Sequence, residues 1–349
     1  MQQRWRWTIA AAAGLALAAC GGGDPGGGDA AEPRLATDQA TLDAALDCTD
    51  FTHPDKPPVL LVHGTFTAGL EQYEWTYKPL LVERGFDVCI VTYPDRGLGD
   101  MQISAEYVVN ALRRIRAGSG RKVAVIGHSQ GVAVPRWAIK WWRSAREAVD
   151  DFVMEAGPNH GTTSAAPLTA LIPKLTGGAT GLPAVFYQFD PDSNFMKATN
   201  AGDETPGDIS YTSLYSGFYD ELVEPVRPVP TAALDYGRDN PNVANILLQD
   251  VCPGRFVDHV TIGLNDALAF ALALDAITHP GPASVERVLA DYGSRGALCG
   301  RLTLLPDLAL PSLPDLLGGL IRAVLSEPGN GLPALHLAGG EPPLQPYAQ

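Results

Sequence analysis

The passage from Lys122-Val123-Ala124-Val125-Ile126 into Gly127-His128-Ser129-Gln130-Gly131, and on into a helical stretch reaching about Ala145, restricts the fold of this chain more than any other feature. A short β-branched run that ends in G-x-S-x-G and feeds a helix reads as strand, tight turn and helix, with the serine hydroxyl held out above a sheet. Both glycines have a physical reason. The turn is strained, and the helix must pass close to the strand. The five-letter pattern alone also occurs in ordinary glycine-rich loops, so the flanking strand and helix are what give it meaning.

Other segments repeat this alternation. Pro58–Val62 and Asp87–Tyr93 are short apolar or β-branched runs, and Asp151–Glu155 and Ile209–Tyr215 follow the serine turn as further strands. Ser104 is a candidate cap for a helix running through Val108, Leu112 and Ile115 to the turn Gly118–Gly120. Beyond Thr261 the pattern is mostly helical: Leu264–Ile277, Ala283–Tyr292 and Leu313–Leu325. Strands alternating with helices predict an α/β fold with a mostly parallel central sheet covered by helices on both faces.

The chain has 349 residues, of which 46% are hydrophobic and 18% charged, enough apolar material for a large core. Lys and Arg number 25 against 39 Asp and Glu, a net charge of −14. No basic stripe appears, which argues against nucleic acid as a partner. No stretch after the first twenty residues is long and apolar enough to span a bilayer, which excludes a multi-pass membrane protein.

Residues 1–19 read as a targeting segment, with Arg4 and Arg6 ahead of the apolar run Trp7–Ala19. The run closes on Leu17-Ala18-Ala19-Cys20, which resembles the lipobox of bacterial lipoproteins, whose cysteine is lipidated and becomes the first mature residue. Ordinary secretion with Cys20 incidental is the plainer alternative. Residues 20–41 begin with a Gly- and Pro-rich stretch that suits a flexible tether, so the folded domain is expected to span 42–349. With Cys20 assigned to lipid, Cys48, Cys89, Cys252 and Cys299 remain, and four cysteines allow three pairings. Outside the cytoplasm, paired thiols are favoured over free ones.

A serine nucleophile needs a base and an orienting acid, and on this kind of sheet they follow in the order serine, acid, histidine. Three of the seven histidines lie well downstream: His259, His279 and His336. His279 ends an apolar helix and His336 sits in a Pro/Gly-rich tail, whereas His259 follows the short run Arg255–Asp258 into a loop. The acid belongs just past a strand. Asp220 fits, after Tyr211–Gly217, with Glu221 and Asp258 as nearby rivals. Donors for a developing oxyanion would be the backbone N–H of Gln130, one past the serine, and Thr65 in the loop His63–Thr67, through its N–H and hydroxyl.

These residues sit in a longer set of matches. Leu42-Asp43-Ala44 with Cys48, Val59–Val62 with Gly64-Thr65, and Gly85-Phe86 with Cys89 are followed by Glu106–Ala111 and Ser129-Gln130-Gly131. Leu214-Tyr215-Ser216, Asp220-Glu221, Val251-Cys252, Asp258-His259, Asp291-Tyr292-Gly293 with Cys299, and Pro346-Tyr347-Ala348 continue it in order. The set resembles the lipase B family of α/β-hydrolases and its bacterial relatives, over nearly the whole mature domain. The resemblance implies an α/β-hydrolase fold, nucleophile Ser129, acid Asp220, base His259, and an oxyanion hole of Thr65 and Gln130. It selects one cysteine pairing, Cys48–Cys89 with Cys252–Cys299. It matches Gln188 to a glutamine on the acyl side of the pocket, and it implies no metal or organic cofactor. Residues 163–182 fall where the family has a short lid-like helix; Leu168 and Ile172 there are candidates for substrate contact, and equally for ordinary core.

Three departures stand out. His128 replaces the tryptophan that precedes the nucleophile, Pro158–Thr162 looks instead like a stretch of bacterial class 2 lipases, and the family's third disulfide has no counterpart. The expectation is a serine carboxylic ester hydrolase on neutral lipid or long-chain esters. It would be a monomer held to a bacterial envelope membrane through its N-terminal lipid, or secreted. An aliphatic polyester depolymerase is the nearby alternative, and a non-catalytic binding lipoprotein the remote one.

Overall fold

The structure, a computed structural model, describes residues 32–164, 181–217, 219–307 and 336–349. Nine strands are present among them: β1 (Leu46–Cys48), β2 (Val59–Val62), β3 (Val88–Val91), β4 (Val123–His128), β5 (Val149–Glu155), β6 (Leu182–Pro183), β7 (Ser210–Tyr215), β8 (Val243–Leu247) and β9 (Leu337–Ala338). Seven form one sheet in the order β1-β3-β2-β4-β5-β7-β8. Every neighbouring pair is parallel except β1 with β3. The remaining two, β6 and β9, make a small antiparallel pair.

Burial on both faces explains the apolar runs. In β2, Leu60 and Val62 belong to one core while Val59 and Leu61 belong to the other; in β4, Val123 and Val125 are set against Ala124 and Ile126 in the same way. Helices α1 (Gln39–Ala44), α4 (Met101–Ser119), α5 (Gln130–Trp141) and α6 (Arg143–Ala148) contribute to the first core. Helix α3 (Tyr77–Glu83) and the apolar helix Ala267–Thr278 contribute to the second. The short α2 (Gly69–Tyr73) adds Tyr73 to that side.

Several boundaries differ from the sequence expectation. Asp100, not Ser104, caps α4: its carboxylate accepts the N–H of Gln102, and the helix starts at Met101 because that side chain is fully buried. The helix expected from Gly131 to about Ala145 is broken at Trp142, whose backbone is extended and whose buried indole bonds the Pro33 carbonyl and meets the Tyr347 ring. Strands β1 and β8 carried no clear pattern, being short edge strands. In β8, Asn245 spends its amide on the backbone of Leu234 on both sides.

The folded chain also begins before Leu42. Glu32 accepts from Arg113 and the Ser144 hydroxyl, Pro33 accepts from the Trp142 indole, and Ala36 and Thr37 donate to the Glu106 carboxylate. Asp38 then caps α1. A strap held mostly by polar contacts, with Leu35 packing against the first core, leaves little apolar signature, which is why residues 32–41 read as tether. Residues 1–31, including Cys20, lie outside the described residues, as do 308–335 with most of the expected helix Leu313–Leu325.

The disulfides join Cys48 to Cys89 across the β1–β3 ladder and Cys252 to Cys299 near the C-terminal helices. Such bonds form in oxidising compartments outside the cytoplasm.

At the C-terminal end of β5, Glu155 is completely buried, with one carboxyl oxygen taking the Tyr77 hydroxyl at 2.7 Å and the other without a partner among the described residues. Burial pushes its pKa up to about 8. The folded state therefore holds a proton that the unfolded chain releases near ~4.3, so this group's contribution to stability is lost as pH rises through that window. Glu155→Gln keeps the acceptor for Tyr77 and removes the ionisation. It is expected to melt with the native chain at pH 5 and above it at pH 8.5, by ~2–4 °C per kcal/mol recovered. Identical pH slopes in scanning calorimetry would refute this account of Glu155.

Candidate active site

The site gathers at the C-terminal ends of the parallel strands, where open α/β sheets leave a crevice. Ser129 sits between β4 and α5 with φ 57° and ψ −122°, a strained conformation for a residue with a side chain. Its N–H bonds the Glu155 carbonyl at 2.9 Å, which fastens the turn to β5. A Cβ on Gly127 would lie 2.0 Å from the carbonyl oxygen of Gly131, and one on Gly131 would lie 2.1 Å from that of Val62. Helix α5 thus rests on the strands with no room for a methyl group.

His259 opens the single-turn helix His259–Ile262. Its Nε2 is 2.8 Å from the Ser129 hydroxyl, and its Nδ1 is 3.0 Å from Oδ1 of Asp220. Asp220 lies in the turn after β7, and the same oxygen accepts the N–H groups of Leu222 and Val223 at 3.0 and 2.8 Å, so its position is set by backbone. Both residues are buried. The rivals are engaged elsewhere. Asp258 caps the His259–Ile262 turn by accepting from the N–H of Val260 and Thr261, and Glu221 reaches only the backbone N–H of His259, at 3.4 Å. His279 stays outside the site, beside Asp275.

Thr65 sits across from the serine turn, its hydroxyl 3.0 Å from Oε1 of Gln130. Two further imidazoles are buried, and His128 also lines the cavity over Ser129. His63 contacts the Gly64 carbonyl and stacks on Tyr93, and burial lowers its pKa to about 4. His128 bonds the carbonyl of His259 at 2.7 Å, and burial lowers its pKa to about 3.

A cavity of about 260 Å³ opens directly over Ser129 and His259. Phe66, Phe186, Phe189, Leu222, Val223 and Val260 make its wall largely apolar. Gln188 is not part of that wall. Its amide is buried, accepting the N–H of Met101 at 2.8 Å and donating to Asp100 at 2.6 Å. It is spent on the start of α4, and its neighbours Phe186 and Phe189 reach the cavity instead. Leu168 and Ile172 lie outside the described residues, with the rest of 165–180. Gln72 was missed by sequence reading; it lines the cavity from α2, and nothing in its local pattern distinguishes it.

The family model for class 2 lipases matches residues 56–229. The chain is 29% identical over 333 residues to lipase B of Pseudozyma antarctica, covering 93% of this chain and 88% of that one. It is 30% identical to the crystal structure of Aspergillus fumigatus lipase B, with a TM-score of 0.72, covering 91% of this chain and 74% of that one. The chain belongs to the lipase B family. Like other lipases it is a serine carboxylic ester hydrolase acting on lipid esters, on an α/β-hydrolase fold.

In this lipase the histidine loop is tied down twice. Cys252–Cys299 closes 47 residues around it, and buried Arg255 pairs with Asp266 at 2.8 Å while donating to the carbonyls of Arg301 and Leu302. Cys48–Cys89 closes a similar span of 41 residues, away from the loop. Chain-entropy reasoning gives roughly 4 kcal/mol for either. Both double Cys→Ala variants are expected to lower Tm comparably, while only Cys252→Ala/Cys299→Ala also lowers kcat well below its melting temperature. A misplacement near ~1 Å suffices for about 100-fold. Equal kcat for the two variants would show that the loop needs no staple.

Proposed function

We propose that Ser129 is the nucleophile of this lipase, His259 its general base and acid, and Asp220 the group that orients the imidazole. The unbroken line of contacts from Asp220 through His259 to Ser129, at the floor of an apolar cavity, carries this reading. Ser129 Oγ attacks the ester carbonyl as its proton passes to Nε2 of His259. The tetrahedral intermediate collapses, that proton goes to the leaving alcohol, and an acyl-enzyme remains. Water attacks in the same way and frees the acid. Asp220 keeps the Nδ1 proton in place and stabilises the imidazolium without itself taking a proton.

The oxyanion donors in this reading are the backbone N–H of Gln130 and the N–H and hydroxyl of Thr65. The side chain of Gln130 supports the last of these. Its Nε2 is a buried donor with no partner among the described residues, while its Oε1 faces the Thr65 hydroxyl. Turning the amide about lets Nε2 donate to Thr65 Oγ1, satisfies the orphan donor and leaves the hydroxyl proton free for the oxyanion.

The apolar wall suits water-insoluble, long-chain esters. Phe66 and Val260, 42% and 50% exposed, extend that wall to the surface at the mouth. Ser129→Ala, His259→Ala and Asp220→Ala are each expected to lose about 10³- to 10⁶-fold in kcat, with combinations adding little. Asp258→Asn is expected to retain activity within a few-fold. The assay is a graded panel of chromogenic esters, emulsified triglyceride and a polyester film. Near-native turnover by Asp220→Asn beside an inactive Asp258→Asn would overturn the choice of acid.

The export reading has residues 1–19 removed and Cys20 carrying lipid, with the monomeric enzyme held to an envelope membrane. Several acyl chains anchor stably where one binds only marginally. Cys20→Ser is expected to move the enzyme to the soluble fraction with specific activity unchanged. An intact mass showing an unmodified mature chain would refute it.

A further inference from the structure

Gln72, on α2, has all its amide hydrogen-bonding capacity in use. Its Oε1 accepts the N–H of Gly64 at 3.0 Å and lies 3.1 Å from the Thr67 hydroxyl. Its Nε2 is 3.1 Å from Nδ1 of His128 and 3.5 Å from the carbonyl of Gly263. His128 in turn places Nε2 2.7 Å from the carbonyl of His259. Both ends of this chain are backbone groups with a single role each. The Gly64 N–H can only donate, so the oxygen of the amide must face it and the nitrogen must face His128. The His259 carbonyl can only accept, so the His128 proton must sit on Nε2. Nδ1 then accepts from Gln72, and each bond has one direction.

The packing leaves no slack. A Cβ on Gly263 would lie 2.2 Å from the His128 ring, and one on Gly64 would lie 3.2 Å from its Nδ1. Protonating His128 would cost the bond from Gln72. Burial, which holds its pKa down to about 3, opposes that charge independently.

We propose that Gln72 and His128 are positioning residues for ester hydrolysis: one directed hydrogen-bond relay that sets the backbone of His259 and the Gly64–Thr67 loop at fixed positions relative to Ser129. The inference rests on the catalytic roles proposed for Ser129, His259 and Thr65. The relay makes no hydrogen bond to the Ser129 hydroxyl or to the His259 imidazole, whose ring lies 5.1 Å from that of His128, centroid to centroid. It holds the main chain that carries the base and the main chain that carries an oxyanion donor, and it crosses the residue preceding the nucleophile to do so. A tryptophan at position 128 could donate one bond and accept none, so the relay requires there a side chain that both donates and accepts, as His128 does.

The test compares Gln72→Met, His128→Phe, their double variant and His128→Gln on a water-soluble short-chain chromogenic ester, with Tm measured alongside. Each of the first two is expected to lower kcat by about 10- to 100-fold while KM stays within about two-fold, as for misplaced but intact catalytic groups. The double variant is expected to fall no further than the worse single, because one relay is broken either way. His128→Gln, which can both accept and donate, is expected to restore most of the loss. Native kcat in Gln72→Met, a multiplicative loss in the double variant, or an effect confined to KM would each overturn the relay. If His128→Phe does not fold, Gln72→Met decides alone. Ser129→Ala runs in parallel. Residual turnover there would bring down the catalytic reading itself, whereas inactive Ser129→Ala beside fully active Gln72→Met would remove only the relay.

Discussion

The contact on which the rest of the site depends is the approach of α5 to the sheet at the serine turn. Gly127 and Gly131 let helix and strands meet backbone to backbone, and Ser129 accepts a positive φ between them. That conformation is costly for a residue with a side chain, on the order of 1–3 kcal/mol, and persists only where its surroundings enforce it. They do so here through the Ser129 N–H on β5 and the buried helix behind it, lined by Val132, Val134 and Trp137. Once the turn is fixed, the hydroxyl has one direction, and everything else in the site is arranged around that point.

His259, the proposed base, arrives from far along the chain and needs more restraint than Ser129, the proposed nucleophile. Its imidazole is held by Asp220, its helix by the Asp258 cap, and its preceding loop by Arg255 and the Cys252–Cys299 bond. Its own carbonyl is held by His128. Each restraint acts on a different atom group, so they fix position and rotation together. A single contact to the ring would fix the tautomer but not the height of the ring above Ser129.

The strands around the site, and the trio Ser129, Asp220 and His259 that the structure brings together, were legible in the sequence through local runs and chain order. β2, β3, β4, β5 and β7 are apolar runs buried on both faces, and Ser129 stands between two glycines that only a close approach requires. What escaped were features whose cause lies in distant partners. The strap from Glu32 to Asp38 is held by polar groups of α4 and α6, the cap of α4 depends on Asp100 being reached by Gln188, and Gln72 is one glutamine among several until Gly64 and His128 close on it. Gln188 shows the converse. Its sequence position matched a pocket residue, but a neighbouring carboxylate and an open helix end claimed its amide first.

Burial also sorts the charges at this site. His63 and His128 are both buried, and His128, its ring 5.1 Å from that of His259, would oppose an imidazolium there if it carried a proton. Desolvation holds them at about 4 and about 3, although the Gly64 and His259 carbonyls they bond pull the other way. Glu155, whose carbonyl holds the Ser129 N–H, is pushed the other way, to about 8, so it places no anion behind the nucleophile at neutral pH. The same physical term, loss of water around an ionisable group, therefore silences two imidazoles and one carboxyl. Asp220 differs from Glu155 by facing two N–H donors and the His259 ring instead of a single hydroxyl. In the proposed mechanism, the charges that appear as the proton leaves Ser129 are then an imidazolium facing Asp220 and an oxyanion facing Thr65 and Gln130.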